Sequence, residues 1–375
     1  MSSDKKNKIP VISFFTGGGF MDMGFIEAGF NIVWTNEVDP VFSKLYAEGI
    51  TSWKNSKGIK GKFSISNTNS IKDINKKEIL SQAFGNSQPE IFGVIGGPPC
   101  QDFTINGNLN GFKGDRGSLT DTFLDRILDL DPAFFVMENV TGLIKVKKNA
   151  KHFTELLDVM REEYIIDYGV LNSLNFGVPQ NRERIFVIGI NRSVYNTDNI
   201  EINLDGSWFP FPVNKKYNGA VNKYEWPEAI TFGLNVTKPQ GVPIELCVSS
   251  CLVSEKDANR IPNANEFFNL YVDKRKLRTI KEGETNRPSF KRLHRYKYSP
   301  TTCYGNNEVH LHPYQHRRLS AREALRIQGV SDFYILQTKE LLSKKFKMIG
   351  NGVPVPLSRV VALKLLKFLK KLEQK

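Results

Sequence analysis

One cysteine, Cys100, stands where a nucleophile could act. The segment GVIGGPPCQDFT (93–104) runs from a short apolar stretch through Gly-Gly-Pro-Pro to this thiol. Open α/β sheets place their active sites at the carboxyl ends of strands, and two prolines fix the direction of the backbone there. An isolated cysteine is usually a small buried hydrophobe, but the polar, glycine-rich segment 106–117 behind this one has the composition of a mobile lid. We therefore predict that Cys100 is a nucleophile.

Charged and amide side chains stand beside two further apolar stretches. Glu138 ends the stretch FFVM (134–137), where a buried carboxylate is costly unless it is paired or functional. Gln180, Arg182 and Arg184 alternate just before the next apolar stretch, and this spacing predicts that their side chains share one face. Because strand ends of one sheet lie close together, we predict one site that combines these groups with Cys100.

A glycine-rich turn indicates a ligand site nearer the start of the chain. The segment FFTGGGFMDMGF (14–25) joins an apolar stretch to a helical pattern, and glycines there let the backbone approach a ligand closely. The second apolar stretch ends at Glu37. An acid at this place can bind ribose hydroxyls, so it favours an adenosyl ligand. The alternative for Glu37 is a helix-capping or surface acid. In that case Asp39 becomes the candidate for the ribose contact.

A sheet covered by helices must position these residues. Short apolar stretches without polar alternation predict strands that are buried on both faces, with helical patterns between them. The predicted strands are 11–15, 31–37, 92–97, 133–139 and 184–190, with helices near 21–28 and 41–46. This pattern is typical of an α/β fold with a doubly wound, mostly parallel sheet.

The composition of the chain changes after Asn191. Residues 192–300 are rich in Asn, Lys, Pro and Gly, and they predict a smaller, irregular, β-leaning domain with WFPFP (208–212) as a turn or linker. A helical pattern returns from Leu319, and a long terminal helix follows. We expect a catalytic, cofactor-binding domain of residues 1–190 plus about 340–375, and a recognition domain of about 191–339.

The charge of the chain favours a polyanionic partner. The net charge is +13, and residues 272–298 hold ten Lys or Arg against three Asp or Glu. Aromatic residues at Phe290, Tyr296 and Tyr298 are interleaved with these charges. Two interpretations of this basic strip remain open: a phosphate-binding surface, or a solvated lysine-rich face. If it is only a solvated face, a nucleic-acid reader is to be sought in residues 215–265.

Composition excludes several classes of protein. Hydrophobic residues make up 40% of the chain and charged residues 24%, as in ordinary globular proteins. No apolar run is long enough to span a membrane, and the polar start of the chain lacks the apolar core of a signal peptide, so we expect an intracellular protein. The four cysteines are too scattered for a disulfide framework, and the pair Cys247 and Cys251 lacks the second pair that a zinc site needs, so we expect no metal.

Taken in order, these motifs resemble those of the cytosine-C5 DNA methyltransferase family of bacterial restriction–modification systems. The matching segments are the FTGGG turn, the acid after the second strand, GGPPCQ, ENV, QNRER, RRLSAREALRIQG (317–329) and IGNGVPVP (349–356). The resemblance covers about two thirds of the chain and leaves only residues 192–298 outside it. Several of these motifs are specific to the family, and they occur in the family's order.

The resemblance implies S-adenosylmethionine as cofactor, with S-adenosylhomocysteine as product, and it implies a set of binding residues. The implied residues are Phe15, Thr16, Gly17, Gly19, Phe20, Glu37, Val38, Ser70, Pro98, Asn351 and Val353. The family usually has an Asp for the adenine amine where this chain has Ser70, and Asp73 stands three residues further on. Either residue is therefore a candidate for that contact.

The resemblance also implies a covalent mechanism on a cytosine that has been flipped out of the duplex. The Cys100 thiolate would attack carbon 6 so that carbon 5 can accept the methyl group. Glu138 would hydrogen-bond or protonate N3, a role that favours a raised pKa. Arg184 would contact O2, while Gln180 and Arg182 would help to hold the pocket or the closing loop.

Double-stranded DNA is the partner that the resemblance implies. The contacts expected from it and from the basic strip are Gln101, Thr104, Lys291, Arg292 and Arg295. We further expect a monomer on DNA, a cytoplasmic and nucleoid-associated location in a bacterium, and a possible cognate restriction endonuclease. The alternatives are a tRNA cytosine-5 methyltransferase and a catalytically inactive DNA-binding relative. A nuclease is disfavoured because no further acidic motif stands at the strand ends.

Overall fold

A six-stranded sheet forms the centre of the molecule. The computed structural model describes residues 8–59, 66–99, 118–270, 274–302, 304, 309–337 and 341–374. The strand order is β2-β1-β3-β4-β6-β5, in which the first four strands are parallel and β6 runs antiparallel to both β4 and β5. The strands are β1 (Pro10–Phe14), β2 (Asn31–Asn36), β3 (Gly93–Gly96), β4 (Phe134–Asn139), β5 (Tyr164–Asn172) and β6 (Glu183–Asn191). The predicted doubly wound, mostly parallel α/β fold is confirmed.

Alternate residues of the central strands supply two apolar layers, one on each face of the sheet. Val11 and Phe134 belong to the first layer, and their neighbours Ile12 and Phe135 belong to the second. The helices are α1 (Phe20–Ala28), α2 (Pro40–Ser56), α3 (Lys76–Phe84), α4 (Leu119–Leu130), α5 (Gly142–Lys145), α6 (Lys147–Met160), α7 (Ala220–Lys223), α8 (Lys274–Arg278), α9 (Ala321–Ile327), α10 (Leu342–Asn351) and α11 (Val355–Glu373). Helices α1 and α11 cover the first layer, whereas α3, α4 and α6 cover the second.

Between β6 and α9 the chain is irregular, as its composition predicts. Its described residues form short helices and a single pair of two-residue strands, β7 (Lys291–Arg292) and β8 (His310–Leu311), so the predicted β-leaning character is limited to this pair. The WFPFP segment packs on the catalytic sheet. Trp208 and Phe209 donate their backbone N–H groups to Oδ2 of Asp167 on β5, each at 2.7 Å, and their rings contact Phe368 of α11.

The end of the described chain returns to its beginning. In α11, Ser358 donates its hydroxyl to the carbonyl of Met21 in α1 at 3.0 Å, and an added Cβ on Gly24 would lie 1.8 Å from Ser358 Oγ. Residues of α9 and the segment after it, including Ala321 and Tyr334, share an apolar cluster with α1 and α2. The division into two domains therefore stays a prediction, because packing crosses the expected boundaries. No helix in the described part of the chain is long and apolar enough to cross a membrane.

Candidate active site

Glu138 and Arg184 meet at the carboxyl end of β4. Arg184 Nε lies 2.8 Å from Glu138 Oε1, and the two side chains are 11% and 9% exposed. Burial raises the pKa of Glu138, and the charges of Arg184 and Arg182 oppose that rise. The site therefore holds a desolvated Glu138 carboxyl with a raised pKa, and the neighbouring guanidinium of Arg184 limits that rise.

The turn that leads to Cys100 is fastened to the same strand end. Asn139 donates its side-chain N–H to the carbonyl of Pro98 at 3.2 Å. A Cβ added to Gly97 would lie 3.0 Å from Glu138 Oε2, so glycine lets the backbone pass close to the carboxyl. Cys100, Gln101 and Thr104 lie outside the described residues. The described part of the turn thus ends at Pro99, directly before the predicted nucleophile, and passes beside Glu138.

The charge of Arg182 acts on Glu138, but the hydrogen bonds of Gln180 and Arg182 go to internal partners. Both are buried: Gln180 is 0% exposed and Arg182 is 1% exposed. Arg182 donates to the carbonyls of Thr302 at 3.2 Å and Gly350 at 2.9 Å, while Gln180 donates to Gln328 Oε1 at 3.1 Å. Their place among the catalytic residues stays a prediction, and these contacts suit residues that help to hold the pocket.

The glycine-rich turn and Glu37 are joined by hydrogen bonds. Gly17 adopts a left-handed φ of 52° and donates its N–H to Glu37 Oε2 at 2.9 Å, while Asp39 N–H donates to Oε1 at 2.9 Å. Phe15 has a φ of 53°, in the left-handed region that few non-glycine residues adopt. This backbone conformation indicates local strain. Burial raises the pKa of Glu37, and the two backbone hydrogen bonds oppose the rise.

Asp39, not Glu37, is the helix cap. Its Oδ1 accepts the backbone N–H of Val41 at 2.9 Å at the start of α2, and its Oδ2 lies 2.5 Å from Nζ of Lys344. Glu37 is buried and oriented by the backbone, so the capping or surface interpretation of that acid is wrong. The two acids therefore have different roles: Asp39 caps α2, and Glu37 faces the glycine-rich turn.

Most of the other predicted cofactor residues lie around this turn. A Cβ on Gly19 would lie 2.4 Å from the ring of Tyr46, and one on Gly352 would lie 2.2 Å from Phe20, so the turn and the segment after α10 pack tightly. Thr16 donates its backbone N–H to Asn36, at the end of β2. Asn351 is exposed at the end of α10, Val353 is buried, and Val38 is 59% exposed beside Glu37.

Ser70 lies on the far side of β2 from the glycine turn. Its segment is held by Asn36, which donates to the carbonyls of Asn67 and Asn69, each at 2.9 Å. The Ser70 hydroxyl accepts the N–H of Lys72 at 3.2 Å, and Asp73 is exposed three residues later. Both side chains therefore remain candidates for the adenine contact.

A buried acid, Asp22, was missed by the sequence reasoning. It accepts hydrogen bonds from Ser13 at 2.6 Å and Tyr46 at 3.0 Å, beneath the glycine turn. Burial raises its pKa to about 6. Its position inside the glycine-rich motif could have drawn attention, because an acid on the buried face of an apolar helix needs a partner.

The basic strip is partly internal. Arg292 is 1% exposed and donates to the carbonyls of Ile280 at 3.0 Å, Leu277 at 2.9 Å and His312 at 2.8 Å. The prediction that it contacts DNA is therefore wrong, because its charge is enclosed by backbone carbonyls. Arg295 pairs with both oxygens of Glu282, at 2.8 and 2.7 Å, and lies over the ring of Tyr314. Lys291 is half-buried on β7.

The described cysteines and acids offer no second chemistry. Cys247 and Cys251 carry free, buried thiols, and burial raises the pKa of each to about 12. Thiols of this kind are unreactive at neutral pH. Within the described ranges, no group of three or more His, Cys, Asp or Glu side chains is arranged to hold a metal ion.

Comparisons with known proteins show the family of the chain. The family model of the C-5 cytosine-specific DNA methylase matches residues 9–367. Type II methyltransferase M.NmeDI of Neisseria meningitidis serogroup C is 35% identical over 368 residues, which cover 97% of this chain and 85% of that protein. M.MthTI of Methanothermobacter thermautotrophicus, also a type II methyltransferase, is 30% identical over 368 residues, covering 95% of this chain and 97% of that protein.

A solved structure agrees with the fold. A prophage-encoded Escherichia coli protein, described as a DNA modification methyltransferase, superimposes with a TM-score of 0.66 at 23% identity. The match covers 97% of this chain and 100% of that one. At this identity the likeness shows the fold alone.

Proposed function

The chain belongs to the C-5 cytosine-specific DNA methylase family, and from this premise we propose that it methylates carbon 5 of one cytosine within a specific duplex sequence. We further propose that it is the modification half of a restriction–modification system. Support for this role comes from the relatives, which are named type II methyltransferases. Duplex DNA is then the macromolecular partner, and a cognate endonuclease would act on the same site.

The observation that carries the proposal is the buried Glu138–Arg184 pair beside the Pro98 turn. Carbon 5 of cytosine is a weak nucleophile, so the ring has to be activated first. The Cys100 thiolate forms a bond to carbon 6 while N3 takes a proton or a hydrogen bond from Glu138, which leaves an enamine at carbon 5. Arg184 stabilises the charge on O2 with its remaining N–H groups.

The second half of the reaction restores the aromatic ring. Once carbon 5 carries the methyl group, a solvent-derived base removes the proton from that carbon. The electrons of the broken C–H bond expel the Cys100 thiolate from carbon 6, and Glu138 recovers its proton from N3. Because the reaction needs access to both faces of the base, the cytosine has to leave the stack.

We propose S-adenosylmethionine as the cofactor, which supplies an electrophilic methyl group on a sulfonium. The residues present fit this group. No described atom lies within 4 Å of the position that a Cβ on Gly17 would occupy, so the turn leaves room for a ligand. The backbone orients the Glu37 carboxylate there, where it can accept ribose hydroxyls, and the exposed Val38 offers an apolar surface for a base. Asn351 and Val353 would close the pocket.

The decisive experiment combines a variant with a mechanism-based substrate. Bisulfite sequencing of DNA from cells that express the chain should show methylation at one sequence, and Cys100→Ser should remove it. A duplex that carries 5-fluorocytosine at that position should trap the wild type in a denaturant-resistant adduct, because fluorine does not leave as a proton does. A wild type that forms no adduct and leaves DNA unmodified would refute the proposal. Methylation of tRNA instead of the duplex would favour the RNA alternative, and DNA binding without any methylation would favour an inactive relative.

A further inference from the structure

Four lysines follow the catalytic strand within seven residues. They are Lys145, the last residue of α5, and Lys147, Lys148 and Lys151 in the first two turns of α6, and all four are exposed. We call residues 145–151 the lysine turn. It lies outside the basic strip 272–298 and outside the interval that the sequence resemblance leaves to recognition. Neither the proposed chemistry nor cofactor binding uses these four side chains.

The lysine turn lies at the rim of the active site. Lys145 Nζ is 2.8 Å from Glu183 Oε2, and Glu183 directly precedes Arg184, whose Nε is 2.8 Å from Glu138. Glu183 and Arg184 are neighbours in β6, so their side chains point to opposite faces of the sheet, and the lysine turn lies at the same strand end as Glu138 on the other face. Only two residues separate β4 from α5, so these cations lie close to the strand end that carries Glu138.

The start of α6 lies beside the first turn of α4. His152 Nε2 lies 2.9 Å from Asp121 Oδ1, in the first turn of α4, and Ser118 is the residue at which the described chain resumes. The lysine turn is thus placed between α4 and the strand end that carries Glu138.

The charge of the turn is poorly neutralised. Within the described part of the chain, Lys147 and Lys148 make no ion pair, and Lys151 approaches Glu155 only to 3.9 Å. The first N–H groups of α6, a helix of 14 residues, receive no side-chain cap. Exposed lysines without ion-pair partners cost the folded protein little free energy, because water solvates them. When they bind phosphates, counterions are released.

We propose that the lysine turn binds backbone phosphates of the DNA strand that delivers the target cytosine. This inference rests on the proposed function, because it assumes a duplex substrate and a base that leaves the stack. Phosphate contacts carry no sequence information, so the turn would fix the position of the backbone and not read bases. Extruding a nucleotide rotates its flanking phosphates, and cations at the rim stabilise them in the rotated position.

The test is the salt dependence of DNA binding by the full chain. Lys147→Gln, Lys148→Gln and Lys151→Gln are combined in one variant, and dissociation constants are measured between 50 and 200 mM salt. The probe duplexes carry or lack the sequence identified by bisulfite sequencing. Each lost phosphate contact lowers the slope of log affinity against log salt by about 0.9, so we expect a reduction of about two to three units. Both duplexes should be weakened by a similar factor.

A matched control uses the terminal helix. Lys367→Gln, Lys370→Gln and Lys371→Gln remove the same charge from exposed positions of α11. The last turn of α11 approaches Tyr195 just after β6, at the opposite end of the strands from Glu138. We expect the slope of this control to match the wild type. Equal slopes for the wild type and both triple variants would overturn the inference, as would equal reductions in both variants. Adduct formation by the wild type with 5-fluorocytosine DNA tests the proposed function separately.

Discussion

Arg184 Nε lies 2.8 Å from Oε1 of Glu138, and this contact places a fixed positive charge beside the one carboxyl that the proposed chemistry needs in its protonated form. Burial raises the pKa of that carboxyl, whereas the guanidinium opposes the rise. The pair therefore sets the pH range in which Glu138 can donate to N3.

We expect Glu138→Gln to lower the single-turnover rate by about 10²–10⁴-fold, the usual contribution of a positioned acid. In Arg184→Met the opposing charge is absent, so the pKa of Glu138 rises further and the residual activity should persist to higher pH. The rate falls as pH rises through this pKa, because the carboxyl then loses the proton that it donates. Single-turnover rates from pH 6 to 9 measure both effects. Coincident pH profiles for the wild type and Arg184→Met would contradict the assignment.

Arg182 should behave differently from Arg184, although the two are separated by a single residue. Loss of its hydrogen bonds to the Thr302 and Gly350 carbonyls leaves buried acceptors unpaired. Each such bond from a charged donor is worth about 1.5–3 kcal/mol, so Arg182→Met should lower the free energy of unfolding by about 3 kcal/mol or more. Urea denaturation measures this free energy of unfolding. If Arg184→Met loses as much stability while Arg182→Met keeps the wild-type value, the positioning role is refuted.

Glu37→Gln should weaken binding of S-adenosylhomocysteine by about 1.5–3 kcal/mol, because a charged acceptor of ribose hydroxyls is lost. Isothermal titration without DNA gives the affinity. Asp39→Asn serves as the control, since its side-chain oxygen can still cap α2. We expect the dissociation constant of the control variant for S-adenosylhomocysteine to lie within a few-fold of the wild-type value. A larger loss in the control than in Glu37→Gln would reverse the two roles.

Asp22 should make the stability of the fold depend on pH. Its pKa of about 6 in the folded protein lies above the ordinary value of 3.8, because burial favours the neutral form. Stabilisation from its protonation is complete below pH 3.8 and is lost as pH rises through 6. Between pH 5 and pH 8 the wild type should lose on the order of 1 kcal/mol of unfolding free energy from this group. The unfolding free energy of Asp22→Asn should not show this decrease. If urea unfolding gives the same pH dependence for the wild type and the variant, the prediction is wrong.

The strand ends of the site were predictable because apolar stretches and the polar residues after them are local features of the sequence. Glu37 and Asp39 could not be distinguished in this way, since both acids follow the same strand and only their hydrogen bonds separate them. Strand β5 was missed because YIIDYGVLN mixes apolar, charged and glycine residues. It lies at the edge of the sheet, where only one neighbour constrains it.

Arg292 shows the limit of reasoning from charge. A run of basic residues in sequence gives no direction to individual side chains, and β7 turns this one inward against three carbonyl groups. Residues 215–265 stay the alternative candidate for a base-reading surface, to be preferred if the basic strip is only a solvated face. The internal partners of Gln180 and Arg182 could not be predicted for a related reason, because they lie more than 100 residues away in the chain.

The contact between Ser358 and Met21 joins residues that are 337 positions apart. During synthesis, α1 and the strands of the sheet leave the ribosome long before α11, which covers one face of their apolar layer. At 5–20 residues per second, this interval lasts roughly 17–70 s. The apolar layer that α11 covers therefore stays open to water while the intervening residues are being made, and chaperone demand should peak in that interval. A ribosome stalled before α11 would display a protein that cannot yet modify DNA.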